Sequence, residues 1–179
     1  WDPTSPAFIK KDSTGECAIL YIPTAFCSYR GEALDQKTPL LRSMEAINEQ
    51  AMRIVRLFGN TSATKVIASV GPEQEYFLVD KEYYLQRKDL VYTGRTLFGA
   101  MPPKGQELDD HYFGTIKTRV KAFMSEVDNE LWKLGVTSKT EHNEAAPAQH
   151  ELAPVFATTN IAVDHNQITM ELLQRIAKK

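Results

Sequence analysis

The chain of 179 residues is long enough to bury one hydrophobic core of ordinary size. Its 42% hydrophobic and 25% charged residues are typical of a globular protein. The balance of 21 Lys and Arg against 23 Asp and Glu offers no basic surface for nucleic acid, and no apolar stretch is long enough to span a membrane.

The cysteines and the two ends of the sequence carry further expectations. Cys17 and Cys27 are too few for a disulfide scaffold and are not spaced as a metal-binding pair. We expect buried or half-buried thiols in a reducing compartment, and therefore a cytoplasmic protein. The sequence begins at Trp1, without an initiator Met, and stops at Lys179 inside a helical pattern that has no terminating residue. These features suggest a piece of a longer protein.

The first half of the sequence predicts a strand, a helix and a second strand region. Residues 18–23 form a short apolar run that ends at a proline, which is typical of a strand, and residues 24–36 are polar and turn-like. A helix is predicted from Lys37 to Gly59, with Thr38 as its N-cap and Pro39 at its first helical position. Its apolar residues recur every three or four positions, which predicts a core-facing stripe of Leu40, Met44, Ile47, Ala51, Ile54, Val55 and Phe58. Residues 65–80 are strand-like, with a break at Gly71-Pro72.

The second half predicts a long loop, two helices and two short strands. Residues 81–114 are polar, lack a clear period and contain several glycines and prolines, which indicates a loop of functional importance. An amphipathic helix is predicted over 115–134 and ends at Gly135, with a buried stripe of Ile116, Val120, Phe123, Met124, Val127, Leu131 and Leu134. Strands are predicted near 136–142 and 150–156, and a third helix begins between 160 and 164. This order of elements, without regular strand–helix alternation, predicts an α+β fold with a largely antiparallel sheet.

Two glutamates near the Gly71-Pro72 break are the first candidate ligands. Glu73 and Glu75 share one face if they lie in a strand, and adjacent carboxylates repel each other unless a cation or a basic group lies between them. Phe77 and Val79 continue that face, so we expect it to be covered. A solvated strand end after the turn remains the alternative.

A second acidic segment surrounds Pro147. Glu144 and Glu151 are seven residues apart, which would place them on opposite faces of one continuous strand. Pro147 and its alanine neighbours allow the chain to turn and bring both carboxylates together. A polar hairpin loop is the alternative, and zinc held by His142 and His150 has little support because no spacing typical of zinc ligands accompanies them.

Convergence of Glu73, Glu75, Glu144 and Glu151 would create an oxygen-rich, anionic site. Mg²⁺ and Mn²⁺ prefer carboxylate and water oxygens. Such ions bind nucleoside triphosphates and offset the charge of a transferring phosphoryl group. The pattern therefore suggests a metal-dependent enzyme that uses ATP.

Several segments resemble one enzyme family. Gly71-Pro-Glu-Gln-Glu-Tyr-Phe-Leu-Val-Asp80 resembles the first metal-binding strand of glutamine synthetases, and Asn143-Glu-Ala-Ala-Pro-Ala-Gln-His-Glu151 resembles their second metal-binding segment. Three further stretches are similar to the type III class: Trp1-Asp-Pro-Thr-Ser-Pro-Ala-Phe8, Ile22-Pro-Thr-Ala-Phe-Cys-Ser-Tyr29 and Gly94-Arg-Thr-Leu-Phe-Gly-Ala-Met-Pro-Pro-Lys-Gly-Gln106. The resemblance covers essentially the whole sequence.

The resemblance implies a role for each of the four glutamates. Glu75, Glu144 and Glu151 would hold one Mg²⁺ or Mn²⁺ ion, near the substrate glutamate and ammonia. Glu73 would belong to a second ion beside the ATP phosphates. The resemblance implies no further catalytic residue in this sequence, and the residues that contact ATP and glutamate remain unassigned.

The resemblance also implies a fold and a reaction. Residues 1–179 would be the N-terminal part of the catalytic domain, an incomplete part of its antiparallel curved sheet with flanking helices, without the small β-grasp domain and the C-terminal catalytic half. The parent enzyme would join ammonia to L-glutamate through γ-glutamyl phosphate, as a cytoplasmic homo-oligomer with active sites at subunit interfaces. We expect the 179-residue chain to be inactive alone. The alternatives are a non-catalytic scaffold of the same fold and a related carboxylate-metal ligase such as a glutamate–cysteine ligase.

Overall fold

The chain combines helices with short antiparallel strands, as the sequence predicts. The computed structural model describes residues 1–12, 14–99 and 111–179. In chain order, the elements are β1 (Phe8–Lys11), β2 (Ala18–Tyr21), α1 (Lys37–Leu57), β3 (Ser69–Val70), β4 (Gln74–Phe77), α2 (Lys81–Gln86), α3 (Lys88–Thr93), a 3-10 turn (His111–Phe113), α4 (Thr118–Lys133), β5 (Ser138–Asn143), β6 (Gln149–Pro154), β7 (Ala157–Thr158) and α5 (Thr159–Ala177). Within the described ranges, no helix is both long enough and apolar enough to cross a bilayer.

The chain divides into two compact units. Unit 1 comprises Trp1–Pro72, Leu134–Val136 and Val155–Thr169, and unit 2 comprises Glu73–Lys133, Thr137–Pro154 and Met170–Lys179. Unit 1 contains the β1–β2 hairpin, α1 and the β3–β7 pair. Unit 2 contains a three-stranded sheet in the order β4-β6-β5, together with α2, α3 and α4.

Polar contacts hold the first residues of unit 1 in place. The Lys37 ammonium lies 2.5 Å from the Asp164 carboxylate and 3.4 Å from that of Asp2. The Ser5 hydroxyl donates to Asp164 at 2.5 Å, and the Asn160 amide donates to the Thr4 hydroxyl at 2.7 Å. Because Ser5 and Asn160 are buried, these hydrogen bonds provide the partners that buried polar groups require.

Helix α1 forms where the sequence predicts it, but its N-cap differs. The Asp35 carboxylate accepts a hydrogen bond from the Thr38 amide at 2.9 Å, and the Thr38 hydroxyl donates to the Phe26 carbonyl at 3.1 Å. The prediction of Thr38 as N-cap is therefore wrong, because Asp35 supplies the capping oxygen. Gly59 adopts φ +83° and its amide bonds the Arg56 carbonyl at 3.0 Å, which confirms the predicted stop.

The predicted core-facing stripe of α1 is only partly correct. Four of its residues are half-buried, namely Leu40, Met44, Ala51 and Val55, but Ile47, Ile54 and Phe58 are 53%, 56% and 87% exposed. The periodicity correctly indicates an apolar face, yet unit 1 covers only part of that face. An open groove of about 520 Å³ runs along the helix, and its lining comprises Leu40, Ser43, Met44, Ala46, Ile47, Gln50, Ala68 and Thr159.

The two cysteines are exposed rather than buried. Cys17 lies just before β2, and all four residues of β2 are exposed. Cys27 lies in the following loop and forms an isolated bridge with Ala33. Both thiols are free. The expectation of buried or half-buried cysteines is therefore wrong.

The core of unit 2 is centred on α4 and confirms the predicted second helix. Met124, Val127 and Leu131 are buried on one face of α4. The Trp132 indole N–H donates to the Ser138 carbonyl at 2.8 Å, which ties the helix to the start of β5. The Tyr76 ring on β4 meets the Phe123 ring edge-on at 5.8 Å, so α4 covers one face of the sheet.

The region from 65 to 114 departs from the prediction in two ways. The strand-like segment 65–80 breaks at Gly71-Pro72 as predicted, but β3 and β4 on either side of the break belong to different sheets. Within the predicted loop 81–114, α2 and α3 form short helices instead; Asp80 caps α2 by accepting from the Glu82 amide. The 3-10 turn His111–Phe113 also falls within that predicted loop. Residues 100–110 of the loop, which include the end of the 94–106 motif, lie outside the described residues.

Candidate metal centre

The β5–β6 hairpin resolves the separation of seven between Glu144 and Glu151. Its turn is closed by hydrogen bonds from the Glu144 amide to the Gln149 carbonyl at 2.9 Å and from the Gln149 amide to the Ala146 carbonyl at 3.1 Å. Ala148 takes a left-handed backbone conformation with φ +60°, which a small side chain tolerates better than a bulky one. The chain therefore turns between the two glutamates, as Pro147 and its alanine neighbours predict.

The hairpin places three possible ligands together. His142 on β5 lies directly opposite Glu151 on β6, and its Nε2 is 2.9 Å from the Glu151 carboxylate. Its Nδ1 lies 3.6 Å from the Glu144 carboxylate. One ligand atom from each of these three residues lies within 4.8 Å of the other two. Glu151 is only 6% exposed, whereas His142 and Glu144 are half-buried.

Strand β4 brings the other two predicted glutamates to the same face of the sheet. Glu75 lies directly opposite Glu151 on β6, and one of its oxygens accepts a hydrogen bond from the Gln149 side chain at 2.7 Å. Glu73 precedes β4, and its carboxyl group is hydrogen-bonded to that of Glu151. Glu73, Glu144 and Glu151 thus meet directly, while Glu75 is held beside them by Gln149.

The expectation that this face is covered is wrong. Burial alternates along the segment: Glu73, Glu75, Phe77 and Val79 are exposed, and the intervening residues are half-buried. The shared face of Glu73 and Glu75 follows from strand geometry, but α4 packs on the opposite face, where Tyr76 lies. Within this unit, the carboxylate face is therefore open rather than buried.

The carboxyl groups of the candidate site lie close together and change the pKa of Glu151 and Tyr112. Burial and hydrogen bonds from the neighbouring Glu144 and Glu73 carboxyl groups raise the pKa of Glu151 to about 8. The charges of Glu144, Glu151, Glu73 and Glu75 also raise the pKa of Tyr112, whose ring stands edge-on to His142 at 4.6 Å. Negative charges held this close together repel each other, and a bound cation would relieve that repulsion. The donor set, carboxylate oxygens with one imidazole, fits Mg²⁺ or Mn²⁺.

The two histidines do not form a common site. His150 neighbours Glu151 on β6 and points to the other face, where its Nδ1 lies 2.9 Å from the Asn143 side-chain oxygen and its ring lies 5.8 Å from that of Tyr76. Burial lowers the pKa of His150 and favours its neutral form. The arrangement argues against zinc held jointly by His142 and His150.

Three residues of this group were not predicted as members from the sequence. His142 was considered only as a zinc ligand, although its spacing of two from Glu144 signals a shared face at the end of a strand. Tyr112 lies in the segment 81–114, which has no periodic pattern, and no sequence signal marks it. Gln149 stands within the Pro147 segment, but its contact with Glu75 depends on pairing between strands that are distant in sequence.

A second buried acidic pair lies behind the sheet. Asp128 on α4 is 4% exposed, and its carboxyl group lies beside Glu141 of β5, whereas its Oδ1 has no hydrogen-bond partner among the described residues. Burial and the Glu141 carboxyl group raise the pKa of Asp128 to about 6. Lys121 forms an ion pair with Glu141. Asp128 and Glu141 thus meet between α4 and β5, whereas the glutamate group lies on the open side of the sheet.

Comparison with known proteins identifies matches along nearly the whole chain. Residues 1–43 match the family described as glutamine synthetase type III N terminal, and residues 52–179 match the family described as glutamine synthetase, catalytic domain. A glutamine synthetase of Butyrivibrio fibrisolvens is 58% identical over 97% of the chain, and a type-3 glutamine synthetase of Dictyostelium discoideum is 52% identical over all of it. The chain covers 24% of each of these relatives, so it spans about a quarter of their length.

The fold also matches a solved structure. The Plasmodium falciparum glutamine synthetase, determined by cryo-electron microscopy, superposes on 96% of this chain with a TM-score of 0.58 and 18% sequence identity. The match covers 34% of that chain. At this level of identity the match concerns the fold, and it agrees with the partial catalytic domain expected from the sequence.

Proposed function

The chain belongs to the glutamine synthetase family, type III class, and from this premise we propose that the protein that carries it joins ammonia to L-glutamate using ATP. In the proposed reaction ATP phosphorylates the γ-carboxylate of glutamate, and ammonia then displaces phosphate from γ-glutamyl phosphate to give glutamine. We further propose that residues 52–179 are the N-terminal part of the catalytic domain, and the catalytic-domain match over these residues supports that assignment. Residues 1–43, which the sequence alone assigned to the same domain, match the type III N-terminal family instead.

The convergence of the carboxylates is the observation that carries this proposal. Glu144 and Glu151 come together through a turn, and Glu75 stands opposite Glu151 on the neighbouring strand. A fold that served only for assembly would have no reason to retain a buried carboxyl group whose pKa is raised to about 8 by its neighbours. The crowding destabilises the ion-free protein, and binding of a cation compensates for it.

In this proposal the glutamates have separate roles. Glu75, Glu144 and Glu151 hold one divalent cation, and Glu73 contributes to the site of a second. Mg²⁺ or Mn²⁺ bound there would offset the negative charge of the ATP phosphates and of the transferring phosphoryl group. The hairpin keeps Glu144 and Glu151 at a fixed separation, and strand pairing keeps Glu75 in register with Glu151. Fixed positions of this kind favour transfer between bound groups.

The same proposal extends to assembly and cellular location. A homo-oligomer with active sites at subunit interfaces agrees with the open carboxylate face, since groups from elsewhere are needed to cover it. Free thiols at Cys17 and Cys27 agree with the reducing cytoplasm. The proposed partners are therefore L-glutamate, ammonia, ATP and further copies of the protein, without nucleic acid or membrane.

The test is a product assay on the full-length gene product. Glutamate, ammonium, ATP and Mg²⁺ are supplied, and glutamine is measured in the wild type, Glu144→Gln and a control, Glu45→Gln. Glu45 suits the control because its side chain is 71% exposed on α1, outside unit 2. We expect the wild type and the control to form glutamine at similar rates and Glu144→Gln to lose most of the activity. No turnover despite metal binding would indicate a scaffold, and a γ-glutamyl-cysteine product from added cysteine would indicate the other ligase.

A further inference from the structure

Gln149 connects the two strands that carry the predicted ligands. It is the first residue of β6, and strand pairing places it opposite Phe77, so it lies diagonally across from Glu75. Its side-chain Nε2 donates to the Glu75 carboxylate at 2.7 Å. Its Oε1 accepts from the Ala146 amide at 3.2 Å, inside the turn that follows Glu144. One amide side chain therefore contacts both the Glu75 ligand and the turn.

The two polar atoms of the Gln149 amide, Oε1 and Nε2, have different roles. The turn is already closed by the backbone bonds of Gln149 to Ala146 and Glu144, and Oε1 adds a third contact. The Nε2 contact adds nothing to the turn, because its partner lies on β4. Its effect is on Glu75, an otherwise exposed carboxylate that the nearby negative charges would drive toward solvent.

An amide suits this position better than a basic group. A Lys or Arg side chain would neutralise Glu75 and compete with a cation for it. The Gln149 amide donates a hydrogen bond without adding charge, so it fixes one oxygen of Glu75 and leaves the carboxylate anionic. The contact thus restricts the orientation of the side chain while preserving its capacity to bind a cation.

We propose that Gln149 is a positioning residue, which holds the Glu75 carboxylate beside Glu144 and Glu151 in the orientation that binds a divalent cation. The inference rests on the proposed metal site and adds a residue to which the family resemblance gives no role. The Gln149 side chain could have either of two roles, and the proposal distinguishes them. If it only shapes the turn, its removal perturbs Glu144 whether or not residue 75 is a carboxylate. If it positions Glu75, its removal matters only when that carboxylate is present.

A double-mutant cycle on the full-length gene product tests the inference, with Mn²⁺ alone titrated by calorimetry. The cycle compares wild type, Gln149→Met, Glu75→Gln and the double variant. Methionine has a similar size and cannot donate to the carboxylate. We expect Gln149→Met to weaken Mn²⁺ binding roughly ten- to a hundredfold in the wild type, the range typical of groups that orient a metal ligand through a hydrogen bond, and less than about twofold in the Glu75→Gln background. Gln174→Met, an exposed change on α5, is the matched control and should have no effect.

Each outcome has a defined meaning. Coupling between the two substitutions supports the inference. Equal losses in both backgrounds, or no loss in either, would overturn it while leaving the proposed metal site intact. An unchanged Mn²⁺ affinity in Glu75→Gln would instead overturn the assignment of Glu75 as a ligand, and the inference with it. Should Gln149→Met fail to fold, Gln149→Asn replaces it in the cycle: it is polar and too short by one methylene to reach Glu75, and the same coupling is expected.

Discussion

Replacing Glu151 with glutamine should stabilise the metal-free protein while removing a metal ligand. Glu151 is 6% exposed, and its carboxyl group touches those of Glu144 and Glu73. Glutamine has nearly the same shape and no charge, so it removes the repulsion without leaving a cavity. Its carbonyl oxygen can still accept from the adjacent His142 ring. The substitution therefore isolates the electrostatic cost of holding this carboxylate in place.

The raised pKa sets the size and the sign of the effect. A pKa that rises from 4.5 in the unfolded chain to about 8 in the folded protein means that folding favours the protonated form of Glu151. This contribution to stability is fully present below pH 4.5 and is lost as the pH rises through 8. The loss amounts to about 3 kcal/mol at pH 7 and on the order of 5 kcal/mol above pH 8. Glu151→Gln should avoid it.

Thermal and urea unfolding, measured in the presence of a chelator at pH 5, 7 and 8.5, provide the assay. We expect Glu151→Gln to be more stable than the wild type at pH 8.5, with the difference shrinking toward zero near pH 4.5. The exposed change Glu45→Gln should have no such pH dependence. A variant that is no more stable than the wild type at pH 8.5 would refute the view that the crowded carboxylates oppose folding.

Three further predictions concern Asp128, the two histidines and the activity of the 179-residue chain. Asp128→Asn should raise the free energy of unfolding at pH 7–8 by up to about 3 kcal/mol, because burial raises the pKa of Asp128 from 3.8 to about 6. The stabilities of the variant and the wild type should converge near pH 4, and a variant that is less stable than the wild type at pH 8 would contradict this prediction. The variant with both His142→Ala and His150→Ala should retain much of its Mn²⁺ affinity by calorimetry, whereas its complete loss, with Glu144→Ala harmless, would reverse the ligand assignment. The purified 179-residue chain should form no glutamine above a no-protein control, because it spans about a quarter of the length of its relatives and the resemblance implies that it lacks the small β-grasp domain and the C-terminal catalytic half. Turnover near that of an ordinary enzyme would contradict this.

Patterns within short stretches of the sequence predicted the elements that carry the candidate site. Helix α4 and the β5–β6 hairpin follow from patterns within about twenty residues: an apolar stripe that ends at Gly135, and two short strands around Pro147. The buried residues Val127 and Leu131 lie on the predicted stripe. These elements could be predicted because their periodicity and the packing in unit 2 agree.

Elsewhere the sequence indicated a local pattern of residues but not which other elements pack against it. The apolar face of α1 is real, yet Ile47 and Ile54 are exposed, because periodicity identifies an apolar face and not the element that covers it. Helices α2 and α3 have six residues each, too few for a period to emerge, and were predicted as loop.

The sequence indicated the four candidate glutamates, but not which face of the sheet is covered or which other residues contact them. Strand parity places Glu73 and Glu75 on one face, and the proline-containing turn brings Glu144 to Glu151. The side of the sheet that α4 covers could not be deduced, since either face of β4 carries apolar residues. Tyr112 and the Gln149–Glu75 contact depend on contacts between distant segments, which a single sequence does not reveal.

Calorimetric titration with Mn²⁺ measures whether the converging glutamates bind a divalent cation. The full-length gene product, its Glu144→Gln variant and the exposed control Glu45→Gln are compared at pH 8 without nucleotide. We expect saturable binding in the wild type and the control. Glu144→Gln should weaken binding by more than about a hundredfold, beyond the roughly 10–100-fold typical of groups that only orient a ligand. Equal Mn²⁺ affinity in all three proteins would contradict this expectation.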